Sequence, residues 1–355
     1  MLCRRLFLLL KTVVILLALG QAAAGQLRSL ADRAGILLGT AVRSERLSEP
    51  PYSSTLTREF NMLEPEDAMK WFVLRPNSQT FDFGPADRIV AFAQANGMKI
   101  RGHTLLWARQ NPQWLLDGNF REKELLEILK AHITGVVGHY RGKVFAWDVV
   151  NEAFDESGNL RDSIWYNQPG IGLAEQRTAY IEKAFRLAHT ADPDALLFYN
   201  DAEGETMNPK SDAIYAMVKD FRSRGVPIHG IGLQMHVASD PRPNIASIRD
   251  NIVRLGSLGV QVHITELDVA LPVDAAGLPL HNTDLTVQAA IYRELLRACL
   301  EQPHCTAFQT WGFTDRYSWL QSSSHGSRGA GLLFNRQYRP KANCAAIRDE
   351  LRRGR

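Results

Sequence analysis

The amino-acid sequence predicts an α/β protein, a single-domain (β/α)8 barrel, and three observations support this prediction. Short apolar segments alternate with longer segments whose apolar residues recur at spacings of three and four, the pattern of amphipathic helices. Eight short segments can be counted, and several are apolar on both faces, as parallel strands covered by helices require. No Pro/Ser-rich linker, charge block or low-complexity run divides the chain after residue 24, so one domain is the simplest account.

The eight predicted strands are spaced so that a helix fits between each pair. In chain order they are ILLGTAV (36–42), EFNMLE (59–64), MKIRGHTLLW (98–107), VFAWDVVNE (144–152), ALLFYND (195–201), VPIHGIGLQMHV (226–237), VQVHITELDV (260–269) and CTAFQTWGF (305–313). An open doubly wound sheet is the structural alternative. No G-x-G-x-x-G motif follows any of these strands, which weakens that alternative.

Three helical segments have clear ends. IVAFAQANG, AIYAMVKDFRSRG and NIVRLGSLG stop at Gly97, Gly225 and Gly259, and each leads directly into a predicted strand. Glycine commonly ends a helix because it adopts the left-handed conformation without steric cost. The repeated unit is typical of a (β/α)8 barrel, whose active site lies at the carboxyl ends of the strands.

The first 24 residues have the composition of a secretory signal peptide. Two arginines precede an apolar stretch, and alanines at 22–24 supply an A-x-A cleavage pattern. An uncleaved membrane anchor is the alternative, but a continuous span needs roughly 20 apolar residues and Lys11 interrupts this one. We therefore expect residues 1–24 to be removed and residues 25–355 to form the (β/α)8 domain without an integral membrane segment. We expect the mature protein to be secreted, either extracellular or periplasmic.

Loss of the signal segment would leave a chain without net charge. The sequence has 41 Lys and Arg residues and 38 Asp and Glu residues, and three of the basic residues lie within the first 24. We therefore expect neither nucleic acid nor an anionic membrane surface as a partner, and a neutral polymer is the more natural one. The sequence contains neither H-E-x-x-H nor C-x-x-C, so no catalytic metal and no other cofactor is expected.

Three cysteines remain after signal cleavage. Cys299 and Cys305 bracket the end of a helical segment and would enter an oxidising compartment, so a local disulfide between them is plausible. Cys344 would then be unpaired. The alternative is that all three are reduced, buried, small apolar residues.

Two glutamates stand at the ends of predicted strands, Glu152 in VFAWDVVNEAF and Glu266 in VQVHITELDV. An unpaired carboxylate is costly to bury inside a barrel, whereas one at a strand end can meet substrate in a cleft. Two carboxylates that face each other have the chemistry of glycoside hydrolysis, in which one is the acid and the other the nucleophile or base.

Other polar and aromatic side chains are predicted at the same end of the barrel. They are Glu66, Asp67, Lys70, His103, Trp107, Asn151, Asn200, Asp201, Gln234, His236, Asp268, Trp311 and Trp319. This mixture suits a ligand rich in hydroxyls, because polar groups hydrogen-bond the hydroxyls while aromatic faces pack against sugar C–H groups. A single Trp or His near a strand end is more often a packing residue, but their shared position favours binding. Asp201 could simply cap the next helix, and Asp148 is as well suited to a structural role as to a functional one.

Several motifs together resemble one known family. WDVVNEAF, ITELD, GHTLLW, AMKW, LQMH, WGFTDRYSW, RDSIWY and IEKAFRLAHTADPDALLFYND are similar, in order and spacing, to motifs of glycoside hydrolase family 10, the (β/α)8 endo-β-1,4-xylanases. The resemblance covers roughly residues 30–350 and rests on several independent motifs in the right order. It implies a retaining endo-β-1,4-xylanase that acts on xylan or a related β-1,4-linked polysaccharide without a cofactor. We expect a monomer.

The resemblance also implies catalytic roles. Glu152 matches the acid/base, which protonates the leaving oxygen and then activates water, and Glu266 matches the nucleophile, which forms a glycosyl-enzyme intermediate. Such enzymes hold the two carboxyl groups roughly 5–5.5 Å apart. Asn151 matches the residue that contacts the sugar 2-hydroxyl. His236 matches a histidine bonded to the nucleophile, and Asp268 behind it fixes the ring orientation.

Further residues match positions that bind substrate. Glu66 matches a position that binds the sugar one ring further out, and Asp67 next to it is also predicted to bind substrate. The residues that match positions on the non-reducing side of the cleavage point are Lys70, His103, Trp107, Gln234, Trp311 and Trp319. The pair Cys299 and Cys305 likewise resembles a short-loop disulfide found in members of the family.

The sequence departs from the family pattern at the ends of the cleft. Asp67 replaces an asparagine with a carboxylate that only accepts hydrogen bonds when ionised, so the distal glycone subsite is expected to differ. Ala108 stands where a histidine is common, and Ala202 and Glu203 stand where Tyr-Asn is common. We therefore expect an aromatic platform on the leaving-group side to be lost, which at about 0.5–1.5 kcal/mol per stacking contact weakens binding without abolishing catalysis. Met235 in LQMH is a further local change.

Two other functions fit the same motifs. A β-glycanase of this fold could act on another β-linked polysaccharide such as a β-glucan, but the family uses Lys70, Trp311 and Trp319 to crowd the space that a sugar 6-hydroxymethyl group needs. A catalytically idle carbohydrate-binding barrel would be expected to lack one glutamate or its supporting histidine, and all are present.

Overall fold

Eight parallel strands close into a barrel in the computed structural model, which describes residues 26–354. The strands are β1 (Leu37–Val42), β2 (Met62–Pro65), β3 (Lys99–Trp107), β4 (Ala146–Asn151), β5 (Leu196–Asp201), β6 (Gly230–Leu233), β7 (Gln261–Pro272) and β8 (Cys305–Thr310). Each strand pairs with its neighbours in chain order, and β1 pairs with β8 from Leu37↔Ala307 to Thr40↔Thr310. The predicted (β/α)8 barrel is confirmed.

One longer helix follows each strand, and another precedes β1. These helices are α1 (Leu27–Ala34), α2 (Pro50–Glu59), α3 (Gly84–Ala95), α4 (Glu122–His139), α5 (Ala179–Ala191), α6 (Pro209–Ser223), α7 (Ile245–Gly256), α8 (Asn282–Leu300) and α9 (Ala342–Arg353). Short helical turns lie at Ser44–Arg46, Trp71–Leu74, Gln113–Leu116, Ala174–Gln176 and Leu320–Ser323.

The helices bury one face each against the barrel. In α4 the buried residues include Leu125, Leu129, Ile133 and Val136, at spacings of three and four. Burying each such side chain contributes roughly 1.5–3 kcal/mol, so this stripe rather than helix propensity holds α4 in place. All six residues of β4 are buried, so side chains on both faces of this strand are covered.

Two of the three predicted helix ends are confirmed, at Gly97 and Gly225, whereas α7 ends at Gly256, three residues before Gly259. Gly97, Gly225 and Gly259 have φ values of 61°, 66° and 73°, the left-handed region that favours glycine. The start of α6 is capped by Asn208, whose side chain accepts a hydrogen bond from the backbone N–H of Ser211 at 2.8 Å. These ends fix where each helix returns the chain to the barrel.

Every predicted strand differs from the observed one by at least one residue at an end, and the sixth and the second show why. The predicted sixth strand is broken, because Met235 has a positive φ of 67°, which interrupts the extended backbone between β6 and a separate short strand, His236–Ala238. The predicted second strand begins too early, since α2 continues to Glu59. β7 extends beyond the barrel to Pro272, where it pairs with the two short strands His236–Ala238 and Arg328–Gly329.

A disulfide joins the end of α8 to the start of β8. Cys299 and Cys305 are bonded, with their Cα atoms 5.1 Å apart. Cys344 on α9 is unpaired and buried. The local bridge holds the tight turn that leads into the last strand of the barrel.

The predicted signal segment, residues 1–24, lies outside the described residues. Within residues 26–354, no helix combines the length and the apolar character that crossing a membrane requires.

Candidate active site

A cleft of about 590 Å³ opens at the carboxyl ends of the strands, and twelve of the thirteen residues predicted to act in catalysis or binding line it. They are Glu66, Asp67, Lys70, His103, Trp107, Asn151, Glu152, Gln234, His236, Glu266, Trp311 and Trp319. The thirteenth, Asp268, lies behind His236. The barrel therefore gathers these side chains from six different strand ends into one groove.

Glu152 directly follows β4 and has a positive φ of 53°. Trp107 Nε1 donates a hydrogen bond to its Oε2 at 3.1 Å, and Gln234 Nε2 donates one to its Oε1 at 3.0 Å. Asn151 Nδ2 lies 3.4 Å from the same Oε1. Neutral donors thus hold this half-buried carboxyl group at the cleft surface.

Glu266 lies in β7 and is only 4% exposed. Asn200 Nδ2 donates to its Oε1 at 2.7 Å, and His236 Nε2 lies 3.3 Å from its Oε2. Burial raises the pKa of Glu266, but the hydrogen bond to His236 and the charges of His103 and His236 outweigh burial and lower this pKa. The carboxylate is therefore held in the ionised form that a nucleophile requires.

His236 links Glu266 to Asp268. Its Nδ1 lies 2.9 Å from Asp268 Oδ2, and Trp319 Nε1 donates to the same oxygen at 2.8 Å. Burial lowers the pKa of His236, but the two carboxylates raise it well above its usual range. An imidazolium donates from both ring nitrogens, so His236 can bond both carboxylates at once.

Asn200, at the end of β5, is a site residue whose role was not predicted from the sequence. Its Nδ2 lies 2.9 Å from Asn151 Oδ1 and 2.7 Å from Glu266 Oε1, and its Oδ1 accepts from Thr265 Oγ1 at 2.7 Å. The amide of Asn200 therefore bridges Asn151, which precedes Glu152, and the carboxylate of Glu266. The signal for it was its strand-end position in the FYND motif.

The β2 end of the cleft contains two ion pairs. Arg43 bonds both oxygens of Glu66, with Nε to Oε2 at 2.8 Å and Nη2 to Oε1 at 2.5 Å. Lys70 Nζ lies 3.0 Å from Asp67 Oδ1. Asp67 thus holds a lysine rather than presenting a free carboxylate, which explains how the expected asparagine can be replaced there.

Lys70 also packs against the aromatic wall of the cleft. Its Nζ lies 5.5 Å from the ring centroids of both Trp107 and Trp311, within cation–π range. The His103 ring meets Trp311 edge-on at 5.4 Å. These groups form a compact surface suited to one face of a sugar ring.

A buried network of charged side chains supports the floor of the cleft. Arg101 donates to both carboxylate oxygens of Asp148, and His103 Nδ1 lies 3.0 Å from Asp148 Oδ2. Asp148 is fully buried and is not part of the cleft lining. Glu64 Oε2 accepts from Gln309 Nε2 and lies 3.5 Å from Arg101 Nε.

The pKa values of the buried groups in this floor are shifted, some upwards and one downwards. Burial, together with the negative charge of Asp148, raises the pKa of Glu64 to about 8. Burial lowers the pKa of His103, but its hydrogen bond to Asp148 and the charge of Glu266 raise it overall. Burial likewise opposes ionisation of Asp148, but the charge of Arg101 outweighs burial and lowers its pKa.

Glu64, His103 and Glu266 could each direct one ligand atom to a metal ion, since these atoms lie within 4.8 Å of one another. The chemistry of the cluster fits a cation poorly. The guanidinium of Arg101 already lies 3.5 Å from Glu64, and His103 Nδ1 is engaged by Asp148.

Two of the residues that depart from the family pattern line the end of the cleft where the leaving group is expected. Ala202 and Glu203 line the cleft, so no aromatic ring stands at this position of the lining. Ala108 is absent from the lining, but its neighbour Arg109 is part of it. Met235 is fully buried and donates its backbone N–H to Glu205 Oε1 at 3.0 Å, so it supports the loop rather than meeting the cleft.

Asp201 does not cap the following helix, because Asn208 does. Its Oδ1 lies 2.8 Å from Lys210 Nζ, and its Oδ2 accepts from the hydroxyl of Tyr199. Burial raises the pKa of Asp201 to about 7, against the effect of Lys210. The pair supports the wall of the cleft behind Ala202, whose backbone N–H donates to Asp201 at 2.9 Å.

A (β/α)8 barrel with one carboxylate on the β4 end, another on β7 and an aromatic-lined groove between them is a glycoside hydrolase. The sequence profile of glycosyl hydrolase family 10 matches residues 26–350, and the chain belongs to that family.

Characterised relatives and solved structures agree with this assignment. Endo-1,4-beta-xylanase B of Thermotoga neapolitana is 42% identical over 327 residues, which cover 91% of this chain and 90% of the relative. The beta-1,4-xylanase of Dictyoglomus thermophilum is 42% identical over 304 residues, 82% of each chain. The crystal structure of xylanase 10B from Thermotoga petrophila RKU-1 in complex with xylobiose superposes with a TM-score of 0.86 at 40% identity, covering 92% of this chain and 97% of that one.

Proposed function

We propose that this protein is a retaining endo-β-1,4-xylanase that hydrolyses internal bonds of xylan through a glycosyl-enzyme intermediate. The observation that carries the proposal is the different environment of the two glutamates. Glu266 is buried and bonded to the imidazolium of His236, whereas Glu152 is half-buried and bonded to neutral donors. The first environment favours a carboxylate, whereas the second contains no charged hydrogen-bond donor among residues 26–354.

In the first step, Glu266 attacks the anomeric carbon while Glu152 protonates the oxygen of the departing sugar. The C–O bond to the leaving sugar breaks as the bond to Glu266 forms. In the second step, Glu152 removes a proton from water, which attacks the same carbon and releases Glu266. Two inversions restore the original configuration, so the first product keeps the β-configuration.

Asn151 and Asn200 would support both steps. Asn151 Oδ1 accepts from Asn200, which leaves the Asn151 amide N–H groups on the side of Glu152. A donor at that place can bond a sugar 2-hydroxyl more strongly as positive charge develops at the anomeric carbon.

The β2 end of the cleft favours xylose over glucose. Lys70, lodged between Trp107 and Trp311, narrows the space that the hydroxymethyl group of a glucose unit would need. Hydrolysis of a β-glucan in preference to xylan would support the alternative β-glycanase instead.

We further propose that residues 1–24 are a cleaved signal peptide and that the mature enzyme is secreted as a monomer. The two arginines, the apolar stretch and the A-x-A pattern support export, and the Cys299–Cys305 disulfide is compatible with an oxidising compartment. N-terminal sequencing of the exported protein would test the cleavage site.

The test of the activity uses chemical rescue of two variants. With an aryl xylobioside that has a good leaving group, Glu152→Ala should form the intermediate but release it slowly, and azide should restore turnover and give a β-configured azide product. Glu266→Ala should give an α-configured azide instead, because only one displacement remains. Each variant should hydrolyse xylan at least about 10³-fold more slowly than the parent. Parent protein that releases no sugar from xylan, or a β-azide from Glu266→Ala, would contradict the proposal.

A further inference from the structure

Met235 lies between two residues that bond the paired glutamates. Gln234 Nε2 donates to Glu152 Oε1 at 3.0 Å, and His236 Nε2 lies 3.3 Å from Glu266 Oε2. Since Met235 is the only residue between Gln234 and His236, its backbone conformation sets where these two side chains stand relative to each other. Its φ of 67° lies in the left-handed region, which is unfavourable for a residue with a Cβ atom.

The peptide unit that joins Gln234 to Met235 is bonded at both edges. Its carbonyl oxygen accepts from the backbone N–H of Glu266 at 3.0 Å, and its N–H donates to Glu205 Oε1 at 3.0 Å. The first bond joins neighbouring strands of the barrel, whereas the second comes from a side chain on another loop. A buried N–H without an acceptor is costly, so the bond to Glu205 stabilises the unfavourable φ of Met235.

Glu205 lies on the loop after β5, is buried, and is not part of the cleft lining. Burial raises the pKa of Glu205, while the N–H of Met235 and the charge of His236 act in the opposite direction. Both forms of the carboxyl group keep an oxygen that can accept the N–H of Met235. What matters for this bond is therefore the place of the oxygen rather than its charge.

Two helices around the barrel hold the loop of Glu205 in place. Asn251 on α7 is fully buried, and its Nδ2 donates to the carbonyl oxygens of Gly204 and Glu205 at 2.9 and 3.1 Å. Arg254 Nη2, also on α7, donates to Asn251 Oδ1 at 2.8 Å and to Ser211 Oγ on α6 at 2.8 Å. A chain of hydrogen bonds therefore leads from α6 and α7 to the carboxyl group of Glu205.

We propose that Glu205 is a positioning residue for the hydrolysis, because its oxygen holds the peptide before Met235 and so places Gln234 on Glu152 and His236 on Glu266. Groups that act in a reaction do so near one geometry, and a displacement of about 1 Å can lower a rate about 100-fold. Both glutamates depend on this one peptide, so its displacement should slow both chemical steps. The inference rests on the proposed xylanase function and adds a residue that acts on the reaction without contacting substrate.

Two variants separate the reach of the Glu205 side chain from its charge. Glu205→Gln removes the charge and keeps an oxygen at the same reach, whereas Glu205→Asp keeps the charge and withdraws the oxygen by one methylene. On an aryl xylobioside, kcat of Glu205→Asp should fall about 10- to 100-fold while KM stays within about twofold of the parent. The kcat of Glu205→Gln should stay within about threefold of the parent. Exchange of the Met235 amide hydrogen, followed by NMR, should be faster in Glu205→Asp alone.

The matched control is Glu59→Asp. Glu59 is also buried and accepts a backbone N–H, that of Leu27 at 3.0 Å, but it lies at the end of α2, before β2 begins. This variant should lose stability towards urea and keep kcat within about threefold of the parent. For every variant, kcat is calculated per folded molecule from its urea unfolding curve. Should Glu205→Asp not fold, Asn251→Ala removes both bonds to the loop of Glu205 and should show the same fall in kcat.

The outcomes distinguish the inference from the proposed function. An unchanged kcat in Glu205→Asp, or in Asn251→Ala where that variant is used, overturns the inference alone. An equal fall in Glu205→Gln would mean that charge rather than reach matters, and an equal fall in Glu59→Asp would mean a general loss of structure, so either result also overturns it. Parent protein that hydrolyses neither the aryl xylobioside nor xylan overturns the proposed function.

Discussion

At the scale of single residues, the charge of one histidine acts on Glu266, the proposed nucleophile. His236 is bonded to Asp268 and Glu266, which raise its pKa well above the usual range, and its positive charge in turn lowers the pKa of Glu266. The ionised state of Glu266 therefore depends on the charge of His236.

Replacing His236 by glutamine should raise the pKa of Glu266, because a charged donor is lost. Since only ionised Glu266 attacks, the acid limb of the kcat/KM profile should move to higher pH, and activity should fall about 10- to 100-fold at the parent optimum. The measurement is kcat/KM on an aryl xylobioside from about pH 4 to 9. Trp319→Phe is the control, since it removes another donor to Asp268 but no charge. An unmoved acid limb in the histidine variant would show that its charge does not set the pKa of the nucleophile.

The positions of site residues could be predicted where a residue stands at the end of an apolar strand. Glu152, Gln234 and Glu266 each end an apolar run, and parallel strands bring such ends together. The partners of these residues were not predictable. The strand-end position of Asn200 predicts which end of the barrel it occupies, but its contact with Glu266, and that of Arg43 with Glu66, follow only from the closed barrel.

At the scale of secondary structure elements, β2 carries an acid into the interior of the barrel. The pKa of Glu64 is about 8 in the folded protein, above the ordinary value of 4.5. Between these two values the folded protein retains a proton that the unfolded chain has lost. The free energy of unfolding should therefore contain a contribution that is complete below about pH 4.5 and is lost as pH rises towards 8.

Glu64→Gln imitates the protonated form and cannot ionise. The difference in unfolding free energy between variant and parent should shift in favour of the variant as pH rises from about 5 to 8. Urea unfolding at three pH values in this window measures it. Glu127→Gln on the exposed face of α4 is a control that should show a constant difference. A constant difference for Glu64→Gln as well would mean that Glu64 is ionised throughout.

The Cys299–Cys305 bridge stabilises the connection between α8 and β8. Closing so short a loop in the unfolded chain contributes about 2 kcal/mol, so the double variant with alanine at both positions should lose about that much unfolding free energy. Urea unfolding without reductant measures the loss. Reduced parent protein should resemble the double variant. Equal stability of oxidised and reduced parent would show that the bridge adds nothing.

Element boundaries were predictable wherever an apolar run is closed by glycine or a polar cluster. The start of β7 differs from the prediction by one residue, because Gly259 ends the preceding turn with φ of 73°. The break after β6 was missed because nothing in the letters LQMH reveals the positive φ of Met235. Backbone conformation at a buried non-glycine residue is set by tertiary contacts such as the bond to Glu205.

At the scale of the whole molecule, substrate binding and folding are coupled. The cleft is assembled from the ends of β2, β3, β4, β6, β7 and β8, so a bound oligosaccharide contacts strands from most of the barrel. An unfolded chain presents no such surface, and ligand should therefore stabilise the entire fold.

The variant Glu266→Gln is expected to bind oligosaccharides without hydrolysing them. Xylotetraose at about one hundred times its Kd should therefore raise the unfolding free energy of this variant by about 2.7 kcal/mol. Calorimetry should show a rise in Tm that grows with the logarithm of ligand concentration. Cellotetraose at equal concentration should raise Tm less, because Lys70 and the adjacent indoles crowd its hydroxymethyl groups. Equal shifts for the two oligosaccharides would contradict this account of selectivity.

The positive φ of Glu152 lowers the stability of the fold at a position where the proposed reaction needs a carboxylate. At 53°, the backbone there adopts a conformation in which glycine has the lowest conformational cost, and a residue with a Cβ atom is less favourable by about 1 kcal/mol. The reaction nevertheless requires a carboxylate at this place. At this backbone position glycine is the favoured residue, so a thermostability selection that does not monitor activity would favour glycine in place of Glu152, the proposed acid/base.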